Sequence, residues 1–126
     1  MVKATASVTL SADKMKKLKE AEEKALEMTA QAVLDDAVAQ AVVPKRTGTL
    51  EKSGFIREAR EGVWQVVFST PYARRLYWHP EYHFRTDKNP NAQGKWMHSY
   101  IYGDNRDWVI DTYKEFLRQY ARGLIR

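Results

Sequence analysis

The 126-residue chain carries a formal net charge of +5, contains 44% hydrophobic residues and has no cysteine. A single domain of this length buries about two-thirds of its surface, so we expect a hydrophobic core that needs no covalent staples. The missing cysteine excludes disulfide frameworks, thiolate zinc sites and thiol nucleophiles. No stretch reaches the ~18–20 apolar residues of a membrane span, and the first residues lack a secretory signal's apolar core, so we expect synthesis in a reducing cytoplasm.

Positive charge and aromatic residues are concentrated after Pro44. Residues 1–43 contain six lysines and seven acidic residues, whereas residues 44–126 contain fifteen basic residues, nine acidic residues and every aromatic residue. A basic, aromatic-rich half suits nucleic acid, an acidic partner or a packed subunit interface. It equally suits a C-terminal core surrounded by solvated arginines, and composition alone leaves both interpretations open.

The N-terminal third predicts one strand and one long helix. Residues 1–10 are expected to form a short strand or arm, with one apolar face made by Ala6, Val8 and Leu10. Residues 11–43 predict a helix because glycine and proline are absent and apolar side chains recur at helical spacing. Ser11 is a candidate N-cap, and Pro44 is expected to end the helix.

The length of this helix predicts a contact with another subunit. About 30 residues span roughly 45 Å, whereas a compact domain of this size is only about 35 Å across. The helix must therefore kink near Thr29 or have its end covered by a neighbouring copy. We favour the second interpretation because the end carries an apolar stripe, made by Leu34, Val38 and Ala41.

Residues 44–126 are expected to contain a small sheet and the C-terminal helices. A turn of helix from Thr49 precedes a hairpin with strands at 55–61 and 63–69, and the second strand is expected to be central because both its faces carry apolar residues. Further predicted elements are a short helix at 72–78, a strand at 81–85, a helix at 95–102 and a last amphipathic helix after Asn105. The predicted fold is one α+β domain over residues 1–126, in which the long N-terminal helix and the C-terminal helix pack on a small antiparallel sheet.

Catalytic chemistry is not indicated. His79, Glu81 and His83 lack metal-site spacing, and Pro80 prevents a regular helix through them. Phosphate-binding glycine loops and serine nucleophile elbows are absent, and adjacent carboxylates such as Asp35 and Asp36 suit a solvated helix face. We therefore expect no catalytic residue, no cofactor, no metal and no small-molecule substrate.

Arg74 and Arg75 lie between Tyr72 and the Tyr77–Trp78 pair. Basic and aromatic side chains interleaved in this way can bind phosphates and stack on bases. A short helix with Leu76, Tyr77 and Trp78 directed inward and both arginines outward gives the same pattern for packing reasons. The two interpretations remain open, with Arg74 and Arg75 as candidate phosphate contacts.

Two motifs together resemble tailed-phage minor capsid and tail-completion proteins. The first is Pro-Lys-Arg-Thr-Gly-Thr-Leu over residues 44–50, and the second is Thr-Pro-Tyr-Ala-Arg over residues 70–74. The run Asn-Pro-Asn-Ala over residues 89–92 and a following tryptophan are similar to the branch found in Gram-positive phages and prophages. The residues that carry the resemblance are Pro44, Thr47, Gly48, Leu50, Pro71, Tyr72, Ala73 and Trp96.

The resemblance implies a non-enzymatic virion protein at the head–tail junction, made in the bacterial host cytoplasm. Such a protein would form a ring with copies of itself, contact other phage head–tail proteins, and touch packaged DNA without reading its sequence. Tyr77-Trp78-His79-Pro80 stands where the wider tail-completion pattern has an acidic–aromatic–glycine stretch, which favours the minor-capsid branch. The alternative function is sequence-nonspecific nucleic-acid binding by the basic, aromatic-rich half.

Two structural expectations accompany this interpretation. Gly48 should adopt a backbone conformation that residues with a Cβ resist, because it redirects the chain between two helical segments. Tyr72 and Trp96 should be mostly buried and should join the C-terminal helix to the sheet, because large aromatic side chains favour burial.

Overall fold

The computed structural model describes residues 12–45, 48–84 and 86–124. The strand or arm predicted for residues 1–10 and the motif residue Thr47 lie outside the described residues. The elements confirm an α+β fold with a long N-terminal helix, a C-terminal helix and a two-stranded antiparallel sheet. They are α1 (Ala12–Ala39), α2 (Thr49–Lys52), β1 (Gly54–Arg60), β2 (Val63–Phe68), α3 (Ala73–Tyr77), α4 (His98–Ile101) and α5 (Arg106–Tyr120).

Helix α1 runs unbroken for 28 residues, which corresponds to about 42 Å. Helical structure continues through Thr29, where the sequence analysis considered a kink. The Thr29 hydroxyl donates a hydrogen bond of 2.7 Å to the Ala25 carbonyl, so this buried polar group is satisfied within the helix. One stripe of the helix faces the core, and its buried members are Ala21, Ala25, Thr29, Val33, Leu34 and Ala37.

The helix ends at Ala39, whereas the sequence predicted that it would run to residue 43. Ala41 adopts a left-handed conformation with φ of 56°, and its N–H donates to the Val38 carbonyl at 3.1 Å. A left-handed residue commonly follows a helix end, although glycine usually occupies that position. The chain therefore leaves the helix before Pro44, and no glycine marks the site.

The end of α1 that projects is the N-terminal one. Residues 12–20 are exposed except for the half-buried Leu18, and the first fully buried residue is Ala21. The sequence analysis expected the apolar C-terminal end to project, and that expectation is wrong. The projecting turns carry mainly charged side chains, with Met15 exposed among them.

The hairpin lies along α1 and contains the two strands of the described sheet. β1 and β2 pair antiparallel from Gly54 opposite Phe68, with an irregularity beyond Glu58. Within the described residues β2 pairs only with β1, so the prediction of a central strand is wrong there. An ion pair between Lys19 and Glu61 holds the hairpin turn beside the first half of α1.

Helix α1 packs against both α5 and the hairpin, which scarcely touch each other. The core consequently divides into two clusters. One contains Val33, Ala37 and Tyr100, and the Tyr100 hydroxyl donates a 2.6 Å hydrogen bond to Asp36 Oδ2. The other lies where α1 ends, and its buried members are Val43, Leu50, Ala73 and Trp96.

The segment between α3 and α5 is less regular than the sequence predicted. Residues 81–84 form a turn, a bend and irregular chain, so the predicted strand at 81–85 is wrong over the described part. The helix predicted for residues 95–102 is reduced to α4, because Lys95 has a φ of 46° that a helix cannot contain. Among the described residues, no helix combines the length and the apolar composition needed to cross a bilayer.

Candidate assembly surface

Three of the motif residues converge at the end of α1, although up to 46 positions separate them. Leu50 on α2, Ala73 on α3 and Trp96 in the following loop are 2%, 7% and 3% exposed, and they pack together with Val43. Pro44 is buried beside them. These residues fix the direction in which the chain leaves α1, which gives them a structural role rather than a contact role.

Gly48 has a φ of 87°, which confirms the conformational prediction. It stands immediately before α2, and its carbonyl accepts a 2.9 Å hydrogen bond from the Lys52 N–H. A Cβ at this position would meet no close backbone atom, since its nearest contacts are the flexible ends of Lys45 and Lys52. The requirement for glycine is therefore conformational rather than steric.

Trp96 is the aromatic centre of this cluster, and its burial confirms half of the prediction for it. Its ring meets Tyr77 edge-on at a centroid distance of 4.9 Å and Phe68 at 5.6 Å. The side chain therefore joins β2 to α3, whereas the sequence analysis expected it to join the C-terminal helix to the sheet. Its Nε1 is buried and makes no hydrogen bond in the structure.

The loop that carries Asn89 and Asn91 covers the end of α1. Asn89 is buried, and its Nδ2 donates to the Val43 carbonyl at 2.7 Å and to Glu51 at 3.2 Å. Asn91 donates to the Gln40 carbonyl at 2.9 Å. Sequence reasoning included both residues only in the resemblance, because a polar loop gives no local signal that its amides will cap a distant helix.

This loop and the hairpin remove the physical reason for a subunit interface at the end of α1. Leu34 is only 6% exposed. Its Cδ1 packs closely on Gly54, since a Cβ added to Gly54 would lie 2.7 Å from that atom. Val38 and Ala41 are half-buried. The apolar stripe is therefore largely covered by its own chain, which corrects the argument that a neighbour must cover it.

The exposed apolar residues lie elsewhere, and the sequence did not single them out as surface. Trp78 is 59% exposed although the packing interpretation directed it inward, and Tyr72 is 41% exposed although it was predicted to be buried. Pro71, which precedes it, is also exposed. Tyr72 stands in the turn before α3, so its side chain projects from the cluster that Ala73 enters. Further large exposed side chains are Phe55, Ile101, Tyr102 and Trp108.

Arg74 and Arg75 are both exposed on the outer face of α3. The Arg75 guanidinium stands 5.8 Å from the centre of the Tyr82 ring, and a hydrogen bond with the Tyr82 side chain raises the pKa of Arg75. Lys95 lies 5.7 Å from the centre of the exposed Trp78 ring. Leu76 and Tyr77 are half-buried on the inner side of α3. Packing therefore explains these two residues, whereas the cationic side chains remain on the surface.

His79 and Glu81 form a local pair rather than a larger centre. His79 Nδ1 and Glu81 Oε1 are 2.7 Å apart, and this hydrogen bond lowers the pKa of Glu81. The Glu81 side chain is 65% exposed and the His79 side chain is 44% exposed, so the pair lies at the surface. Within the described ranges, no group of three or more histidine, aspartate or glutamate side chains is arranged to hold a metal ion.

No protein-family model matches the chain, and no curated protein or solved structure matches it. The resemblance to phage proteins therefore rests on the motif residues of the sequence alone.

Proposed function

We propose that this protein is a non-enzymatic structural subunit of a tailed-phage virion, a minor capsid or tail-completion protein at the head–tail junction. The observation that carries the proposal is the convergence of Leu50, Ala73 and Trp96 in one buried cluster at the end of α1. The virion is the proposed location, and the host cytoplasm is the proposed place of synthesis.

The architecture suits a protein that acts through assembly. A ring requires two different surfaces on each subunit, because each copy must contact a neighbour on either side. The projecting turns of α1 form one such surface, with Met15 55% exposed. The exposed aromatic side chains around α3 form another, at the opposite end of α1.

Trp78 is the side chain on which we place the contact. Tryptophan is over-represented among residues that dominate binding energy, and the free chain leaves 59% of this one in solvent. Lys95 over its ring supplies a cation that an acidic side chain of a neighbour would pair with. Association is expected to be weak in isolation and to become tight on a template of other head–tail proteins.

Nucleic-acid binding is the second candidate, and the same region favours it. An exposed tryptophan beside Lys95, Arg74 and Arg75 can stack on a base while the cations contact phosphates. Contact of this type would be nonspecific and would weaken steeply with salt. A ring subunit facing packaged DNA could also show such binding, but only as an accompaniment to assembly.

Sedimentation of the free chain from micromolar to millimolar concentration separates the two functions. We expect the mass of wild type to rise with concentration without DNA, and Trp78→Ser to shift that rise to higher concentration. Phe55→Ser is the matched control, since it also removes an exposed aromatic ring but from the hairpin. A strict monomer that binds DNA with a steep salt dependence would replace the assembly proposal with the nucleic-acid one.

A further inference from the structure

A polar cleft lies between the last turns of α1, the loop at residues 89–93 and the start of α5. Its volume is about 450 Å³, which is within the range of small-molecule sites. Its polar and aromatic walls include Asp36, Gln40, Asn91, Gln93, Asn105 and Trp108. Trp78 and Lys95, where we place the assembly contact, do not line it. The cleft is therefore a candidate ligand site separate from the assembly surface.

The side-chain amides of this cleft are oriented by hydrogen bonds to their own chain. Asn91 Nδ2 donates to the Gln40 carbonyl at 2.9 Å. Gln93 Nε2 donates to the Asn91 carbonyl at 3.1 Å, and Asn105 Nδ2 donates to Ser99 Oγ at 3.0 Å. Each bond uses one amide hydrogen, and the bonds among the described residues leave the amide oxygen and the second hydrogen to a ligand. The walls can therefore both accept and donate hydrogen bonds.

Asp36 supplies the negative charge of the cleft. Its Oδ2 accepts a 2.6 Å hydrogen bond from the Tyr100 hydroxyl, and burial together with this bond raises the pKa of Tyr100. Tyr100 therefore remains the donor at neutral pH, and the second carboxylate oxygen can accept from a ligand. No lysine, arginine or histidine is among the described residues that line the cleft. An anionic ligand would consequently meet a like charge without a compensating cation, which disfavours its binding.

Two tryptophans border the cleft and favour hydroxyl groups over a cation. Trp96 is 3% exposed, and its buried Nε1 has no hydrogen-bond partner in the structure. A buried indole N–H usually has an acceptor. An ammonium or guanidinium group offers no acceptor, whereas a hydroxyl group can accept from an indole N–H and donate to a carboxylate. Trp108 packs edge-on against Tyr100 and is 39% exposed, so part of its ring is open to a ligand.

A sugar combines the features that these walls would recognise. Its hydroxyl groups both donate and accept, which suits the oriented amides and the Asp36 carboxylate. The C–H groups on one face of a sugar ring are apolar, which suits the open part of the Trp108 ring. A sugar without carboxylate or phosphate groups also avoids repulsion by Asp36.

We propose that this cleft binds a neutral sugar, with hydroxyl groups bonded to Asp36 and to the cleft amides and with one ring face on Trp108. The sugar is a bound ligand rather than a substrate. This inference does not depend on the head–tail function.

A glycan array tests the proposal with the full-length chain. The fluorescently labelled protein should be retained on neutral glycans and not on glycans that end in sialic acid or a phosphorylated sugar. Asp36→Asn keeps an acceptor for Tyr100 but loses the charge, and it should weaken retention at least about tenfold. Asp35→Asn is the matched control, because it makes the same charge change at an exposed side chain that is bonded to Gln31 and does not line the cleft.

The aromatic wall has its own pair of variants. Trp108→Ala should abolish retention, whereas Trp78→Ala removes a more exposed indole outside the cleft and should leave retention near wild type. Circular dichroism confirms that each variant is folded. Three results would overturn the proposal: no retention on any neutral glycan, equal retention of Asp36→Asn and wild type, or a preference for acidic glycans. Binding of agmatine, a guanidinium cation, without retention on glycans would assign the cleft to cations and would also overturn it.

Indole N–H resonances locate the sugar on the wild-type chain. The chain contains four tryptophans, so its ¹⁵N-labelled form gives four indole signals. Titration with the best-retained neutral glycan should shift the signals of Trp96 and Trp108 and leave that of Trp78 in place. No shift, or a shift confined to Trp78, would overturn the cleft as the site.

Discussion

Replacing Trp96 by alanine tests whether the motif cluster holds the fold together. The side chain is 3% exposed and meets the rings of Phe68 and Tyr77 edge-on. Truncation of a buried tryptophan to alanine costs about 3–5 kcal/mol through lost burial and the cavity left behind. The mutant also loses the buried Nε1, which has no partner, and an unsatisfied buried donor costs about 1–3 kcal/mol. We therefore expect a loss near 3 kcal/mol, at the lower end of the range.

Urea unfolding followed by far-ultraviolet circular dichroism measures this loss as a change in midpoint at constant slope. Trp78→Ala is the matched control, because it removes the same side chain 18 positions away from a site that is 59% exposed. We expect the control to cost less than about 1 kcal/mol. Equal losses for the two variants would refute the assignment of Trp96 to the core and of Trp78 to the surface.

Substitutions at three further positions give additional tests. Gly48→Val should destabilise the protein by about 1–3 kcal/mol because valine resists a positive φ, whereas Gly48→Asn should cost less. An unchanged melting temperature for the valine variant would count against backbone strain at this position. Leu34→Glu should lower the melting temperature rather than dissociate an assembly, because it places a charge in the core. A variant that stays folded but sediments with a reduced mass would instead support the subunit interface that the sequence analysis expected at Leu34. Burial and the hydrogen bond to Asp36 raise the pKa of Tyr100 in the folded protein. The contribution of Tyr100 to the free energy of unfolding is therefore fully present below about pH 10, the tyrosine pKa in the unfolded state, and is lost as the pH rises above it. Tyr100→Phe should therefore lose less stability than wild type over that alkaline range in urea titrations, and identical losses would contradict this.

The sequence predicted the fold where local patterns decide it. The uninterrupted run of helix formers predicted α1, and Gly62 between two β-rich runs predicted the hairpin. The end of α1 was misplaced because Ala41 takes a left-handed conformation without being a glycine, and because the distant Asn91 donates a hydrogen bond to the neighbouring Gln40 carbonyl, which no local pattern specifies. The sequence analysis assigned the end of the helix to Pro44, but the helix ends at Ala39.

The candidate surface was less predictable because it depends on which side of each element faces inward. Gly48 could be assigned from its place between two helical segments, and Trp96 from its size. Tyr72 and Trp78 have the same aromatic character, but the turn before α3 and the end of α3 direct them outward. The role of Asn89 depends on a carbonyl 46 positions earlier, which no local pattern specifies.

Immunogold electron microscopy of tailed virions from the host that carries this gene tests the proposed function most directly. An antibody raised against the purified chain should label intact particles at the neck between head and tail. The same particles should contain several copies of the chain for each portal, as a ring requires. Absence of the protein from purified virions, or label spread over the head without a preference for the neck, would contradict a head–tail subunit.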